Sequence, residues 1–228
     1  MPVFNDIPLR VEEDVFRRAL RFSDDEQGRA AASEIIAAAL PLLEPRAYFR
    51  DSFVDGRGDG SVTINGRTFR SRVLRANLES VERVFPYVLT MGGRLEKAAA
   101  AQDDLLRQYA FETLADMALA GAGARLEAHI RRLFGVGTLS AMSPGSLEDW
   151  PIEEQTTLFD LLGETEARIG VRLSDSLLMM PRKSVSGILF SSEESFTSCA
   201  LCPRRSCHGR RAVYDPAKRS AFGLEDEA

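Results

Sequence analysis

The chain has 228 residues, 44% hydrophobic and 28% charged, with a formal net charge of -5 and a pI near 5.3. That length fits one large domain or two small ones, burying on the order of 70% of the unfolded surface, so stability needs neither metal nor disulfides. The acidic balance disfavours nucleic acid, no apolar run approaches the roughly 20 residues of a membrane span, and Met1-Pro-Val-Phe-Asn-Asp is not a secretory signal.

Pro8 to Val11 reads as a short strand and Glu12 to Phe22 as a helix with Val15, Phe16 and Leu20 on one side. Ser23-Asp-Asp-Glu is an N-cap with acidic residues in the first turn. The Ala-rich helix it opens runs to about Leu43, its buried stripe being Ile35, Ile36, Ala39, Leu40 and Leu43, with Pro41 bending or shortening it. Period-two alternation then predicts a strand over Tyr48 to Val54, a loop at Asp55-Gly-Arg-Gly-Asp-Gly, and a hairpin turning at Asn65-Gly66 with Thr68 and Phe69 on the return strand. The Arg-Gly-Asp at Arg57 to Asp59 is read as a turn.

Pro86 to Met91 predicts another strand. Leu95 to Phe134 predicts a helix in two or three pieces, with Leu105, Leu106, Tyr109, Leu114, Met117 and Leu119 as apolar faces and a break or close packing at Gly121 and Gly123. His129, set among Leu126, Ile130 and Leu133, is read as structural. A loop follows from Ser140 to Trp150. Pro151 then opens a helix whose face would carry Ile152, Thr156, Phe159 and Leu162. Val171 and Leu173 are extended, and Leu177 to Met180 and Ser184 to Phe190 read as strands joined at Pro181-Arg-Lys. Helices mixed with hairpins, without βαβ alternation, place the chain in the α+β class.

Leu158-Phe-Asp-Leu-Leu, Ile169-Gly-Val-Arg-Leu-Ser-Asp-Ser and Met179-Met-Pro-Arg-Lys-Ser-Val-Ser-Gly follow one another in an order and spacing that resembles the activation domain of vitamin B12 (cobalamin)-dependent methionine synthase. Thr90-Met-Gly-Gly-Arg-Leu-Glu96 is similar to a stretch found in free-standing members of that family. The resemblance runs from about Thr90 to Phe196. It implies a twisted, mainly antiparallel sheet with flanking helices, and three parts to the chain: an N-terminal portion over 1–70, an activation-domain-like core over 71–196, and a Cys/Arg-rich tail over 197–228.

The resemblance also implies a function. Such a domain holds S-adenosylmethionine against cobalamin while an electron donor such as flavodoxin or ferredoxin reduces the cobalt, and methylcobalamin is regenerated. No cobalamin-binding Asp-x-His-x-x-Gly motif is present in this sequence, so the cobalamin would sit on a partner methionine synthase or another corrinoid protein, and the chain would be an accessory of that methyltransferase, acting in trans. Its S-adenosylmethionine loop would be Ser143, Pro144, Gly145 and Ser146, with Asp175 contributing a carboxylate. The sequence departs from the family's Arg-x-x-x-Gly-Tyr motif, whose arginine and tyrosine align with Ala141 and Ser146. The guanidinium that would pair with the ligand carboxylate, worth roughly 1.5–3 kcal/mol, is therefore missing from that position, and Arg182 or Lys183 is the candidate replacement.

All three cysteines lie near the C-terminus, as Cys199-x-x-Cys202-x-x-x-x-Cys207, followed by His208. That is not the dispersed set of a secreted disulfide framework, and the chain reads as cytoplasmic. Three thiols in one short segment can converge on zinc or an iron–sulfur cluster, with His208 or an outside group as fourth ligand; the alternative is three reduced, unliganded cysteines. Arg204, Arg205, Arg210, Arg211, Lys218 and Arg219 give the same segment a positive surface that would steer an acidic electron donor. Neither a Ser-His-Asp arrangement nor a phosphate-cradling loop is present. Two functions stay open: reductive remethylation of a partner's cobalamin, or a non-catalytic docking or metal-carrying electron-relay module for another corrinoid methyltransferase.

Overall fold

The computed structural model describes residues 3–5, 7–192, 196–207 and 210–224. In chain order the elements are β1 (Val3–Asn5), α1 (Glu13–Ala19), α2 (Glu26–Ala39), β2 (Arg46–Phe49), β3 (Ser52–Gly58), β4 (Ser61–Ile64), β5 (Arg67–Arg70), α3 (Arg72–Asn77), β6 (Arg83–Thr90), α4 (Arg94–Ala100), α5 (Leu105–Phe134), β7 (Leu139–Met142), α6 (Glu154–Leu162), α7 (Thr165–Ile169), β8 (Arg172–Leu173), β9 (Met179–Met180), β10 (Ser184–Ser191) and α8 (Pro216–Ala221). The class is α+β, and every strand pair of known register is antiparallel. The chain divides into two compact units. One comprises Met1–Tyr48, Val88–His129 and Glu164–Val185; the other comprises Phe49–Tyr87, Ile130–Gly163 and Ser186–Ala228.

In the first unit, Asp25 rather than Ser23 caps α2: its carboxylate accepts the Gly28 N–H at 2.8 Å, and the Ser23 hydroxyl braces it at 2.6 Å. Those bonds hold the Asp25 carboxyl below its ordinary pKa, with Ser23 the larger influence. The helix stops at Ala39, and Pro41 sits in a single 3-10 turn over Leu40–Leu42. No strand forms over Pro8 to Val11; β1 lies earlier and pairs with β2, Val3 opposite Tyr48.

Helix α5 runs 30 residues without a break at Gly121 or Gly123. Its buried stripe in this unit is small: Ala110, Phe111, Leu114, Ala115, Ala118, Ala122 and Leu126. Leu105, Leu106 and Tyr109, expected on an apolar face, are 79%, 51% and 57% exposed. His129 stacks on Phe4 with centroids 4.2 Å apart.

The second unit holds the hairpins. Asn65 and Gly66 take the positive φ of the tight turn, 44° and 76°. Residues 55–58 are not the expected loop: they extend β3 through a bulge at Val54–Gly56 and pair with Thr63, Val62 and Ser61. The unit's strands follow one path, β5 beside β4, β4 beside β3, β3 beside β6, with β10 pairing both β6 and β7. Ser140–Met142, expected in a loop, is strand β7, paired residue by residue with Ile188–Phe190. Helix α6 begins at Glu154, three residues after Pro151. It buries Gln155, Leu158, Leu161 and Leu162, while Ile152 stays 41% exposed.

Beyond residue 196 the chain still packs into this unit. Leu201 and Leu224 are buried, a 3-10 turn spans Ser198–Ala200, and Asp215 caps α8 by accepting the Lys218 N–H. His208 and residues 225–228, the acidic Glu-Asp-Glu-Ala at the C-terminus, lie outside the described residues. No described helix is long and apolar enough to cross a membrane.

Candidate functional site

The Ser143–Ser146 loop leaves the end of β7 and is closed on itself by backbone. Ser146 returns its N–H and its hydroxyl to the Ser143 carbonyl at 3.1 and 2.6 Å, and the Gly145 N–H donates to the Trp150 carbonyl at 2.7 Å. Gly145 has φ +78°, the left-handed conformation that favours glycine, and a Cβ there would also press on the Ile152 side chain, 2.9 Å from its Cδ1. Trp150 anchors the far end. It is fully buried, edge-on to Phe69 at 6.1 Å. The neighbouring Asp149 carboxylate ties the loop to α3, accepting the Ser71 hydroxyl at 2.6 Å, the Val73 N–H at 2.9 Å and Arg72 Nε at 2.9 Å.

The strand beside this loop explains the Ser-Val-Ser-Gly motif at 184–187. A Cβ at Gly187 would run into the Met142 carbonyl and stand 2.8 Å from Ser143 Oγ. Only a glycine lets β10 pass flush against the start of the loop. Gly187→Ala is expected to cost about 2–3 kcal/mol, lowering Tm by roughly 5–10 °C, because the obstacle is backbone and cannot swing aside. Thermal denaturation followed by circular dichroism checks this, and an unchanged Tm would show that the strand and loop are looser than drawn.

Gly145 and Ser146 form one wall of a cavity of about 600 Å³ whose other walls include Glu148, Ser198, Arg219 and all three cysteines. Two sequence candidates, the loop and the cysteine segment, thus meet in one place. Ser143, half-buried, and Pro144, buried, support the loop from behind. Asp175 is exposed at the β8–β9 turn of the other unit, where the Ser174 hydroxyl accepts the Leu178 N–H at 3.1 Å. Ala141 lies within β7, opposite Leu189.

Arg182 and Lys183, the candidate replacement cations, do not line this cavity. Arg182 binds Glu96 at 2.6 Å and Glu112 at 2.9 Å, and Lys183 binds Glu112 and Asp116 at 2.7 Å each, so both are committed to carboxylates in the first unit. Two cations line the cavity, Arg204 and Arg219; Arg219 is 5% exposed, donates to the Leu201 carbonyl at 2.9 Å and stands 3.5 Å from Glu148. In sequence it was indistinguishable from a surface charge. The signal that could have found it is its place on α8, capped by Asp215 and opened by Pro216. Arg210 is likewise turned inward: its guanidinium donates to the carbonyls of Cys199 at 3.1 Å, Cys202 at 3.3 Å and Arg204. Arg204, Arg205 and Arg211 remain exposed.

Cys199 and Cys202 are half-buried and Cys207 exposed, all as free thiols. Burial alone would raise the Cys199 thiol, but the Arg211 N–H on its sulfur at 3.4 Å, with Thr197 and the Arg211 charge, holds it below the ordinary value. Among the described residues no three His, Cys, Asp or Glu side chains are gathered to hold a metal, and the fourth candidate, His208, lies outside them.

Residues 143–199, a quarter of the chain, match the family described as vitamin B12 dependent methionine synthase, activation domain. Among solved structures the chain is similar to a crystal structure of the MetH reactivation domain bound to AdoHcy, with 17% identity and a TM-score of 0.54 over 86% of this chain and 80% of that one. The fold is that of a methionine synthase reactivation domain. No curated protein matches the sequence. The activation-domain match begins at Ser143 and ends at Cys199, so its two ends are the loop and the first thiol of the same cavity.

A zwitterionic amino-acid ligand needs one cation and one anion set beside hydroxyl donors. Arg219, Glu148, Ser146 and Ser198 supply that set, and the volume suffices for a nucleoside-sized molecule. A zwitterionic molecule of that size would meet such a set here.

Proposed function

We propose that this protein supports the reductive remethylation of cobalamin carried by a partner methionine synthase, acting in trans with S-adenosylmethionine as methyl donor. The observation that carries the reading is the activation-domain match at 143–199, whose first residues build the wall of the cavity at Gly145 and Ser146. The likeness to a reactivation domain bound to AdoHcy supports it through the fold. When bound, S-adenosylmethionine supplies an electrophilic methyl on a sulfonium. The residues here position rather than react: the loop gives backbone groups fixed by its own turn, Arg219 meets a carboxylate, and Glu148 meets an ammonium. The exposed Arg204, Arg205 and Arg211 suit an acidic electron donor of the flavodoxin or ferredoxin kind. We place the protein in the cytoplasm, where the thiol pool would keep any disulfide between its cysteines transient.

One observation favours a second reading. Ala141 stands where the family has its arginine, so a docking or electron-relay module that makes no use of the methyl donor is the alternative. Calorimetric titration with S-adenosylmethionine and with AdoHcy, at neutral pH and low salt, separates the two. Micromolar binding of both is the expected result. Absence of heat from protein that is folded by circular dichroism would move the function to docking or relay.

A further inference from the structure

The cysteine segment carries more than a place in the cavity wall. Ser198–Ala200 forms a 3-10 turn that Thr197 caps by accepting the Cys199 N–H, and the i to i+3 pattern continues as the Cys202 N–H reaches the Cys199 carbonyl at 3.4 Å. Side chains three apart on such a turn eclipse one another, and three residues at about 2 Å rise set their Cα atoms about 6 Å apart, inside the range a disulfide spans. The Arg210 guanidinium then fixes the pair, one nitrogen on the Cys199 carbonyl and the other on the Cys202 carbonyl, at 3.1 and 3.3 Å. Both thiols are free, half-buried, and face the same cavity.

We propose that Cys199 and Cys202 form a reversible dithiol–disulfide pair in the wall of the cavity that Gly145 and Ser146 also line. The oxidant is a low-molecular-weight disulfide of the glutathione type. One cysteine sulfur attacks a sulfur of that disulfide, forming a mixed disulfide and expelling one thiolate. The other cysteine sulfur then attacks the mixed disulfide, closing the Cys199–Cys202 bond and expelling the second. Two electrons pass to the reagent, two protons leave the protein, and a reducing dithiol reverses the sequence. Among the described residues no such turn holds Cys207 against either partner, and it stays a thiol. Because oxidation stiffens the wall opposite the loop, it also changes affinity for the methyl-donor class of ligand, a consequence that rests on the function proposed above.

The test uses the full chain, reduced, exchanged into buffer and treated with glutathione disulfide, then alkylated and digested with trypsin. Cys199 and Cys202 fall in the peptide 184–204, whereas Cys207 falls in 206–210. The expected product is a 184–204 peptide that carries no alkyl group and is lighter by two hydrogens, alongside an alkylated 206–210 peptide; dithiothreitol returns the first to its dithiol and leaves the second unchanged. Cys207→Ser leaves this unchanged, while Cys199→Ser and Cys202→Ser each stop at a single glutathione adduct. Wild-type protein that stays fully alkylated, that stops at glutathione adducts, or that links 184–204 to 206–210 overturns the pair. AdoHcy titration of the reduced and oxidised forms follows. A bridge that forms while neither form binds AdoHcy upholds the pair and counts against the methyl-donor reading, so the two fail separately.

Discussion

Trp150→Ala is expected to destabilise the protein by about 3–5 kcal/mol, the usual range for emptying a wholly buried indole site. Trp150 is 0% exposed and packs edge-on against Phe69, itself fully buried on β5. Its indole N–H has no hydrogen-bond partner among the described residues, so the loss is one of packing rather than of a polar contact. That makes Trp150→Phe informative: it keeps most of the volume, removes no bond, and should cost under half as much. Urea denaturation with an unchanged m-value measures both. The alanine variant should also lose ligand binding, because the Trp150 carbonyl that receives the Gly145 N–H is positioned by the same ring. Equal costs for the two variants would mean that the ring's shape, not its bulk, anchors the loop.

Asp149→Ala should cost about 3–4 kcal/mol, since it strips a largely buried carboxylate from three donors at once. The Ser71 hydroxyl it binds is itself the cap of α3, accepting the Leu74 N–H at 2.9 Å, so the helix start loosens with it. Burial on its own would raise the Asp149 carboxyl, but the Ser71 hydroxyl, the Val73 N–H and Arg72 more than offset this and hold its pKa below 3.8. The sign follows. A carboxyl depressed in the folded state contributes its full stability above its unfolded value, and loses it as pH falls through the folded value. The stability gap between wild type and Asp149→Asn should therefore be widest near neutrality and shrink below about pH 4. A gap that stays constant into acid would mean the carboxylate is not held as described.

The features that sequence showed were those fixed by local chemistry. Asn65-Gly66 can only be a tight turn, Pro41 ends a helix wherever it falls, and Leu158 and Leu162 are core by period. The loop at Ser143–Ser146 was visible through the family motif around it. What local chemistry could not show was set by neighbours distant in sequence. Residues 55–58 look like a glycine loop until β4 supplies a partner, and Ser140–Met142 becomes a strand because β10 lies alongside. The exposed Leu105 and Leu106 and the buried alanines of α5 reverse hydropathy for the same reason. At the site, Arg219 and Glu148 come from different stretches of the second unit, Ser186–Ala228 and Ile130–Gly163, and no spacing along the chain links them.

Each compact unit is assembled from three separate stretches of chain, the first ending with Glu164–Val185 and the second with Ser186–Ala228. During synthesis, neither can complete its core before residues 164–228 have left the ribosome. The early helices α1 and α2 and the β3–β5 hairpins must wait, partly covered, for strands made much later. A nascent chain arrested at Gly163 should therefore remain open to protease in both units, and folding in the cell is timed by translation of residues 164–228.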